Sequence, residues 1–350
     1  MNKKYFIKTF GCQMNKAESE RIAGVFEEQG YQMAKKITEA DMVVINTCSV
    51  RESAENRVFG LINNLAKKRR KKQRIILTGC MVSSGTGERR RYPLKRLKIK
   101  LPQVDEFIEI EKLTRQAPPA RSAGGFARRH SPTHAFVPIM KGCNQFCTYC
   151  VVPYSRGKEK SRPFKEIVCE VEKLARKGYQ HITLLGQNVN SYQPSFAKLL
   201  QRLHSIKGIK KISFITSNPW DLSDEIIETM KMSKIDRYLH LPVQSGDNEI
   251  LRKMNRPYTA EEYLGLVEKI RQEIPDIKIG TDIIVGFPGE TRRAFENTVK
   301  LCKKIGFEKA YIAKYSPRPG TAAYKIEDSV SHQEKKRRWK VLDSLINRNS

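Results

Sequence analysis

Apolar positions in the first third of the chain fall into short runs separated by stretches of helical spacing. Residues 4–10 read as a strand that ends at Gly11-Cys12. Residues 15–29 follow as a helix with Ile22, Val25 and Phe26 on one face, Asn15 as its N-cap and Gly30 as its stop. Residues 42–46 read as a buried strand that ends at Thr47-Cys48. Val58, Leu61, Ile62 and Leu65 mark the next helix at spacing 0, 3, 4, 7. Residues 74–78 form a third strand, which ends at Gly79-Cys80. Strands that alternate with helices predict a parallel, doubly wound sheet. All strand C-termini of such a sheet lie along one edge, where ligands bind. Cys12, Cys48 and Cys80 are far apart in sequence, yet each sits just past a strand and so belongs to that edge. Taken alone, each is readily a small buried residue; taken together they form a candidate metal site. Helix N-termini at the same edge favour thiolate over thiol.

The pattern breaks at 116–133, where Pro118, Pro119, Gly124, Gly125 and Pro132 mark a linker. It separates a domain of residues 1–115 from one of residues 134–350. In the second domain a strand at 135–140 precedes five more, at 181–185, 211–216, 238–243, 278–285 and 309–315. Helices are predicted near 164–177, 195–206, 223–233, 259–273 and 291–305. Six strand–helix units are too few for a closed eight-fold barrel. They fit an open partial (β/α)6 barrel with its chemistry at the C-terminal strand ends. The fold class is therefore α/β, a doubly wound parallel-sheet domain followed by a partial barrel.

Charge changes the picture. Against 37 Asp and Glu the chain carries 66 Lys and Arg, a formal net charge of +29. So large an excess is unfavourable for a compact fold unless a polyanion is a partner, and nucleic acid is the first candidate. The run Lys67-Lys68-Arg69-Arg70-Lys71-Lys72 has no interleaved aromatics, so it suits phosphate contact or a solvated helix end rather than base reading. Arg89-Arg90-Arg91 and Lys335-Lys336-Arg337-Arg338 are further basic clusters. No run of 18 apolar residues is present, and the N-terminus is too polar for a secretion signal. A cytoplasmic protein without a membrane partner is expected, so its eight cysteines are ligands or buried thiols rather than disulfides. Cys169 and Cys302 lie in predicted helices and read as buried structural thiols. His240 suits a structural or a site role equally well.

The densest chemistry is the loop Gly142-Cys143-Asn144-Gln145-Phe146-Cys147-Thr148-Tyr149-Cys150, spaced C-x3-C-x2-C. Three thiolates in a short loop can turn inward onto one iron–sulfur centre. A four-iron cubane held by three cysteines keeps one iron free for a small molecule. Zinc with a distant fourth ligand is the alternative, although zinc pairs are usually C-x2-C.

This loop resembles the signature of radical S-adenosylmethionine (SAM) enzymes, with Tyr149 as its aromatic position. Val151-Val152-Pro153-Tyr154-Ser155-Arg156-Gly157 and Ser161-Arg162-Pro163 resemble the methylthiotransferase branch, most closely the tRNA 2-methylthio-N6-dimethylallyladenosine synthases of MiaB type. Phe10-Gly11-Cys12-Gln13-Met14-Asn15, Asn46-Thr47-Cys48-Ser49-Val50-Arg51 and Thr78-Gly79-Cys80-Met81 are similar to the motifs of that branch's N-terminal domain. The resemblance implies two 4Fe–4S clusters, one on Cys143, Cys147 and Cys150 and an auxiliary one on Cys12, Cys48 and Cys80. It implies SAM as cofactor and co-substrate, with Tyr149 among the residues that bind it and Gln187 facing its amino group. Ser217 and Gln244 would lie in segments that approach its ribose and methionine parts, and the adenine would lie along 280–290. A 5′-deoxyadenosyl radical would take hydrogen from C2 of a modified adenosine next to the anticodon. The second cluster would take part in sulfur delivery and a further SAM would supply the methyl group. The implied partners are the tRNA anticodon loop and a low-potential electron donor such as flavodoxin or ferredoxin, with the chain acting as a monomer. Family members usually end in a small RNA-binding barrel of TRAM type, and this sequence is expected to lack it.

Rival readings keep the chemistry and change the substrate, to threonylcarbamoyladenosine in tRNA or an aspartate of a ribosomal protein. A rival of another class is a non-catalytic RNA-binding metalloprotein. If the basic clusters touch phosphate, RNA affinity measured by filter binding falls steeply and log-linearly as salt rises; a flat response would remove that contact.

Overall fold

The structure is a computed structural model that describes residues 3–50, 52–86, 94–114 and 131–348, with no side-chain description for 85 and 86. Arg51, the Arg89-Arg90-Arg91 cluster and most of the expected linker lie outside the described residues. The chain forms two compact units, one of Met1–Asn144 with Val151–Gln180, the other of Gln145–Cys150 with His181–Ser350.

The first unit is built on a five-stranded sheet, β1 (Lys4–Thr9), β2 (Gln32–Met33), β3 (Met42–Thr47), β4 (Arg74–Gly79) and β5 (Glu106–Phe107), in the order β2-β1-β3-β4-β5. Every pairing in it is parallel. Side chains alternate across a strand, and both faces are apolar. Val43, Ile45, Ile75 and Leu77 pack with Val58, Ile62 and Leu65 of α2 (Glu52–Lys68) and Leu97 of α4 (Leu94–Lys100). Tyr5, Val44 and Ile76 pack on the opposite face with Ile22 and Phe26 of α1 (Gln13–Glu28) and Leu113 of α5 (Ile110–Thr114). Helices on both faces make the sheet doubly wound, as the alternation requires. A short helix, α3 (Cys80–Thr86), starts directly after β4. Helix α1 begins earlier than its apolar face indicates: Cys12 is its N-cap, and Asn15 is three residues inside, where its Oδ1 accepts from the Cys12 N–H at 3.3 Å. The same unit also contains β6 (His134–Pro138), β7 (Met140–Lys141), α6 (Val152–Ser155), β8 (Lys160–Ser161) and α7 (Phe164–Arg176).

The second unit carries β9 (His181–Leu185), β10 (Lys211–Phe214), β11 (Tyr238–His240), β12 (Lys278–Val285) and β13 (Lys309–Lys314). β9 pairs in parallel with β10, and β11-β12-β13 form a parallel set. Ile212 bridges in parallel to Ile235, just ahead of β11, and so links the two sets. Helices α8 (Phe196–His204), α9 (Asp224–Met230), α10 (Asn248–Lys253), α11 (Ala260–Glu273) and α12 (Arg292–Ile305) connect them. Ser195, Ser223, Asp247, Thr259 and Thr291 cap these helices by accepting from backbone N–H groups. These strands and helices alternate as an open partial barrel requires. No described helix is long and apolar enough to cross a membrane.

Two basic clusters are less free than their sequence implies. In α13 (His332–Asn347), Lys335 and Arg338 are buried. Lys335 Nζ meets both Asp328 oxygens at 2.6 and 2.5 Å, and Arg338 meets Glu290 at 2.5 Å with Glu334 at 2.8 Å. In the 67–72 run, Arg69 pairs with Asp105 at 2.7 Å and donates to Gln73 O and Gln103 O. Only the four lysines of that run and Arg70 present themselves to solvent, and Arg70 also reaches Ala40 O. Cys169 is exposed rather than buried, because it falls on the outer face of α7 between the buried Val168 and Glu170; Cys302 is buried as expected. Removing one member of a buried pair strands the other, so Arg338→Ala should lower unfolding stability by about 3–5 kcal/mol in urea melts.

Candidate functional site

The edge of the first sheet brings the three separated cysteines together. Cys12 caps α1 after β1, Cys48 follows β3, and Cys80 opens α3 after β4. The switch in strand order falls between β1 and β3, so Cys12 and Cys48 flank the crevice where doubly wound sheets bind ligands. Gly11 adopts φ +129, and a Cβ there would stand 2.9 Å from Cys48 Cβ and 2.3 Å from Asn15 Oδ1. Only glycine lets the two cysteine loops approach this closely.

Asn15 and Asn46 knit this edge. Asn15 Nδ2 donates to Asn46 Oδ1 at 3.2 Å and Thr47 O at 3.1 Å, while Asn46 Nδ2 donates to Asn15 O at 2.8 Å. Thr47 Oγ1 donates to Thr78 O at 2.5 Å and so ties β3 to β4. The Cys80 thiol is pushed up to about 12, chiefly by burial; nearby Arg156 pulls it down, and Cys48 and Cys12 push it up. Burial thus opposes, at Cys80, the thiolate form that a helix N-terminus favours. Arg156 stands beside Cys80 with its guanidinium bonded to Glu18 at 2.6 and 3.3 Å. A cavity of about 820 Å³ opens in this unit, lined by Cys80, Met14, Glu18, Arg21, Arg156 and Arg162.

The C-x3-C-x2-C loop is anchored at both ends. Gly142 has φ +74, and a Cβ there would lie 2.0 Å from Lys158 O; next to it the Cys143 N–H donates to Gly157 O at 3.1 Å. Gln145–Cys150 is held within the second unit. Thr148 N–H donates to Met254 O at 3.1 Å, Asn255 Nδ2 donates to Phe146 O at 3.0 Å, and Ala323 N–H donates to Thr148 O at 2.8 Å. The Tyr149 ring packs against Ile250, Met254, Phe287 and Tyr315. Cys147 Sγ accepts from Arg256 Nη1 at 3.3 Å.

At the strand ends of the second unit, Gln187 and Ser217 each bury a side-chain oxygen, Oε1 and Oγ, that has no hydrogen-bond partner among the described residues. Orphaned buried polar atoms are rare in folded proteins, and each calls for a physical account such as a water, an ion, a ligand or strain. Around them the loops are laced. Asn218 N–H is shared between Asn188 Oδ1 and Asn190 Oδ1 at 3.1 and 3.0 Å, and Asn190 Nδ2 donates to Asn218 O at 2.7 Å. Thr216 and Gln244 hold positive φ, +75 and +67, a strained state for such residues. Gln244 is buried and bridges β12 at Ile283. His240 Nε2 meets Asp282 Oδ2 at 3.0 Å.

All eight cysteines are free of disulfides. Among the described residues no three His, Cys, Asp or Glu side chains are arranged to hold a single metal ion. A cubane asks for something different, since each thiolate ligates its own iron and the three need not meet at one point. Free thiols at three adjoining strand ends, and a cysteine sulfur facing a buried cation, suit iron–sulfur clusters. The orphaned Gln187 and Ser217 oxygens suit a polar cofactor.

Known proteins agree with this architecture. Residues 137–302 match the Radical SAM superfamily, and residues 4–95 match the Uncharacterized protein family UPF0004. A tRNA-2-methylthio-N(6)-dimethylallyladenosine synthase from Caldicellulosiruptor saccharolyticus is 42% identical over 99% of this chain and 78% of its own length. The enzymes of the same name from Thermoanaerobacter sp. and Clostridium perfringens are 43% and 41% identical, over 78% and 83% of their lengths. Among solved structures, the radical S-adenosylmethionine methyltransferase TsrM from Kitasatospora setae superposes with a TM-score of 0.66 over 92% of this chain and 77% of its own, at 13% identity, a likeness of fold. The family match and these relatives thus make this a radical SAM protein. The chain belongs to the family of tRNA-2-methylthio-N(6)-dimethylallyladenosine synthases.

Asn15, Arg156, Glu18 and Arg256 were not foreseen as site residues. The spacing of Asn15 from Cys12 was visible, and Arg156 sat inside a quoted motif, but only the fold supplies their partners. Because Ser217 Oγ has no partner to lose, Ser217→Ala should leave the melting temperature of the ligand-free protein unchanged or slightly raised despite its burial. A clear drop would reveal a hidden partner.

Proposed function

We propose that Cys143, Cys147 and Cys150 hold the SAM-binding 4Fe–4S cluster and that Cys12, Cys48 and Cys80 hold a second one. We assign the cofactor-binding roles to Tyr149, Gln187, Ser217 and Gln244 at the SAM end. The chain is a radical SAM methylthiotransferase that modifies tRNA, adding a methylthio group at C2 of N6-dimethylallyladenosine next to the anticodon. The observation that carries this is identity of about 42% over nearly the whole chain to curated enzymes of that name.

When bound, the two clusters and SAM supply electron transfer, radical generation, sulfur and the methyl group. The chain's own work is placement and exclusion of water, since a primary carbon radical attacks whatever lies beside it. Gln187 and Ser217 offer fixed polar atoms for the amino acid and ribose parts of SAM. The Asn188, Asn190 and Asn218 lacing holds those two side chains in register without using them. In the first unit, Asn15, Asn46 and Thr47 fix the loops from which the other three cysteines project. The target adenosine lies in a single-stranded loop, so its base can be splayed out for reaction.

A cytoplasmic monomer that draws electrons from a flavodoxin or ferredoxin completes the reading. We place its sequence domains at 1–115 and 134–350, a division drawn from the linker composition, whereas the compact units of the fold divide the chain differently. Anaerobic reconstitution should give about eight irons per chain, 5′-deoxyadenosine from SAM under reduction, and the methylthiolated nucleoside by mass spectrometry of treated tRNA. Iron near zero would favour a zinc protein, and a product on threonylcarbamoyladenosine would change the substrate. Ser217→Ala should weaken SAM binding by about fivefold, roughly one lost hydrogen bond.

A further inference from the structure

Arg256 is 7% exposed and follows α10 in the second unit. Its guanidinium is fixed from several sides. Nε donates to Tyr258 Oη at 3.1 Å, Nη2 to Pro242 O at 3.2 Å and Nη1 to Cys147 Sγ at 3.3 Å. Its plane lies over the Trp220 ring at 4.7 Å and near that of Tyr258 at 5.4 Å. Tyr258 is itself anchored, donating to Val243 O at 2.8 Å. The guanidinium thus has its position without help from any bound group.

Charge balance is the unusual feature. An arginine stays charged in a protein, and a buried charge is costly unless paired. Arg338, also buried, and the largely enclosed Arg156 each face a glutamate within 4 Å. Arg256 has no carboxylate partner among the described residues. Its acceptors are a peptide carbonyl, a phenol whose proton goes to another carbonyl, and the sulfur of Cys147. The sulfur is the acceptor that can carry the balancing negative charge.

From this juxtaposition we propose that Arg256 is the built-in counter-ion of the cluster at Cys147 and raises its reduction potential. The inference rests on the assignment of Cys147 as a cluster ligand. Three thiolates on a dipositive four-iron core leave a net negative charge. Reduction by one electron from a low-potential donor adds another, with no bond made or broken in the protein. A fixed cation donating an N–H to a ligand sulfur stabilises the reduced form more than the oxidised one. Arg256 is a positioning residue in this role, since it acts through Cys147.

The test is an anaerobic potentiometric titration of the reconstituted full chain, followed by low-temperature EPR. The cluster in question is identified by the change that SAM makes to its signal. In Arg256→Gln its midpoint should move to more negative potential at unchanged iron content, while the SAM-insensitive cluster keeps its own. Arg256→Lys keeps the charge but loses the fork, and should move the same midpoint in the same direction by less. An unshifted midpoint in Arg256→Gln overturns the inference. Should that variant fail to hold iron, the neutral Arg256→Met takes its place, and an unshifted midpoint there overturns the inference equally. A wild-type protein with no SAM-responsive signal would instead defeat the ligand assignment beneath it.

Discussion

A parallel ladder sends the C-terminal end of every strand to the same edge, and this chain places its chemistry there in both units. In the first, β1, β3 and β4 each release a cysteine at that edge. In the second, β9 and β10 release Gln187 and Ser217, and Gln244 follows β11. Antiparallel pairing would scatter the same residues between opposite edges. The cost of the arrangement is local. Loops that leave a buried edge carry backbone groups without ladder partners, and these must be satisfied by side chains. Asn15 and Asn46 do this in one unit, and Asn188, Asn190 and Asn218 do it in the other. Such buried, fully partnered networks fix geometry more than they add stability. Gln187 Oε1 and Ser217 Oγ, which have no hydrogen-bond partner among the described residues, are then the informative atoms.

Interior charge follows the same economy. Arg156 with Glu18 and Arg338 with Glu290 are pairs in which the desolvation of each ion is offset by the other. Burial still holds Glu290 above the ordinary carboxylate range against the pull of Arg338. Arg156 adds a second contact to this scheme, because it also lies close enough to Cys80 to oppose the effect of burial on that thiol. Each of the two candidate cysteine sites therefore has an arginine close by, one already matched to a glutamate and one matched to sulfur.

Much of this was legible in the sequence. The run at 42–45 and the spacing of Val58, Ile62 and Leu65 fixed strand and helix because burial on both faces leaves an apolar signature. Cys12, Cys48 and Cys80 could be placed at one edge because parallel topology constrains where strands end, whatever their order. Other features had no local signal. The two-residue β2 and β5 are set by their neighbours and are too short for any period. The N-terminus of α1 shifted because Cys12, a weak capping residue, is fixed by its place at the sheet edge rather than by propensity. Arg256 looked like one more basic residue among 66 Lys and Arg, since its partners Trp220, Pro242 and Cys147 are distant in sequence.

The net charge of +29 therefore reports two different things. Part of it is internal: Lys335, Arg338, Arg156 and Arg256 are little exposed and are committed to partners within the fold. Part is external, such as Lys67, Lys68, Lys71 and Lys72, which remain exposed beside an Arg69 that braces the turn into β4. Runs of basic letters do not separate these two kinds, because a cation's role depends on whether water or a folded anion faces it. The surface share is screened by salt and acts on encounter with a polyanion. The internal share is insulated from salt and acts on the groups it touches. The same residue types thus face either water or a partner within the fold, and burial decides which.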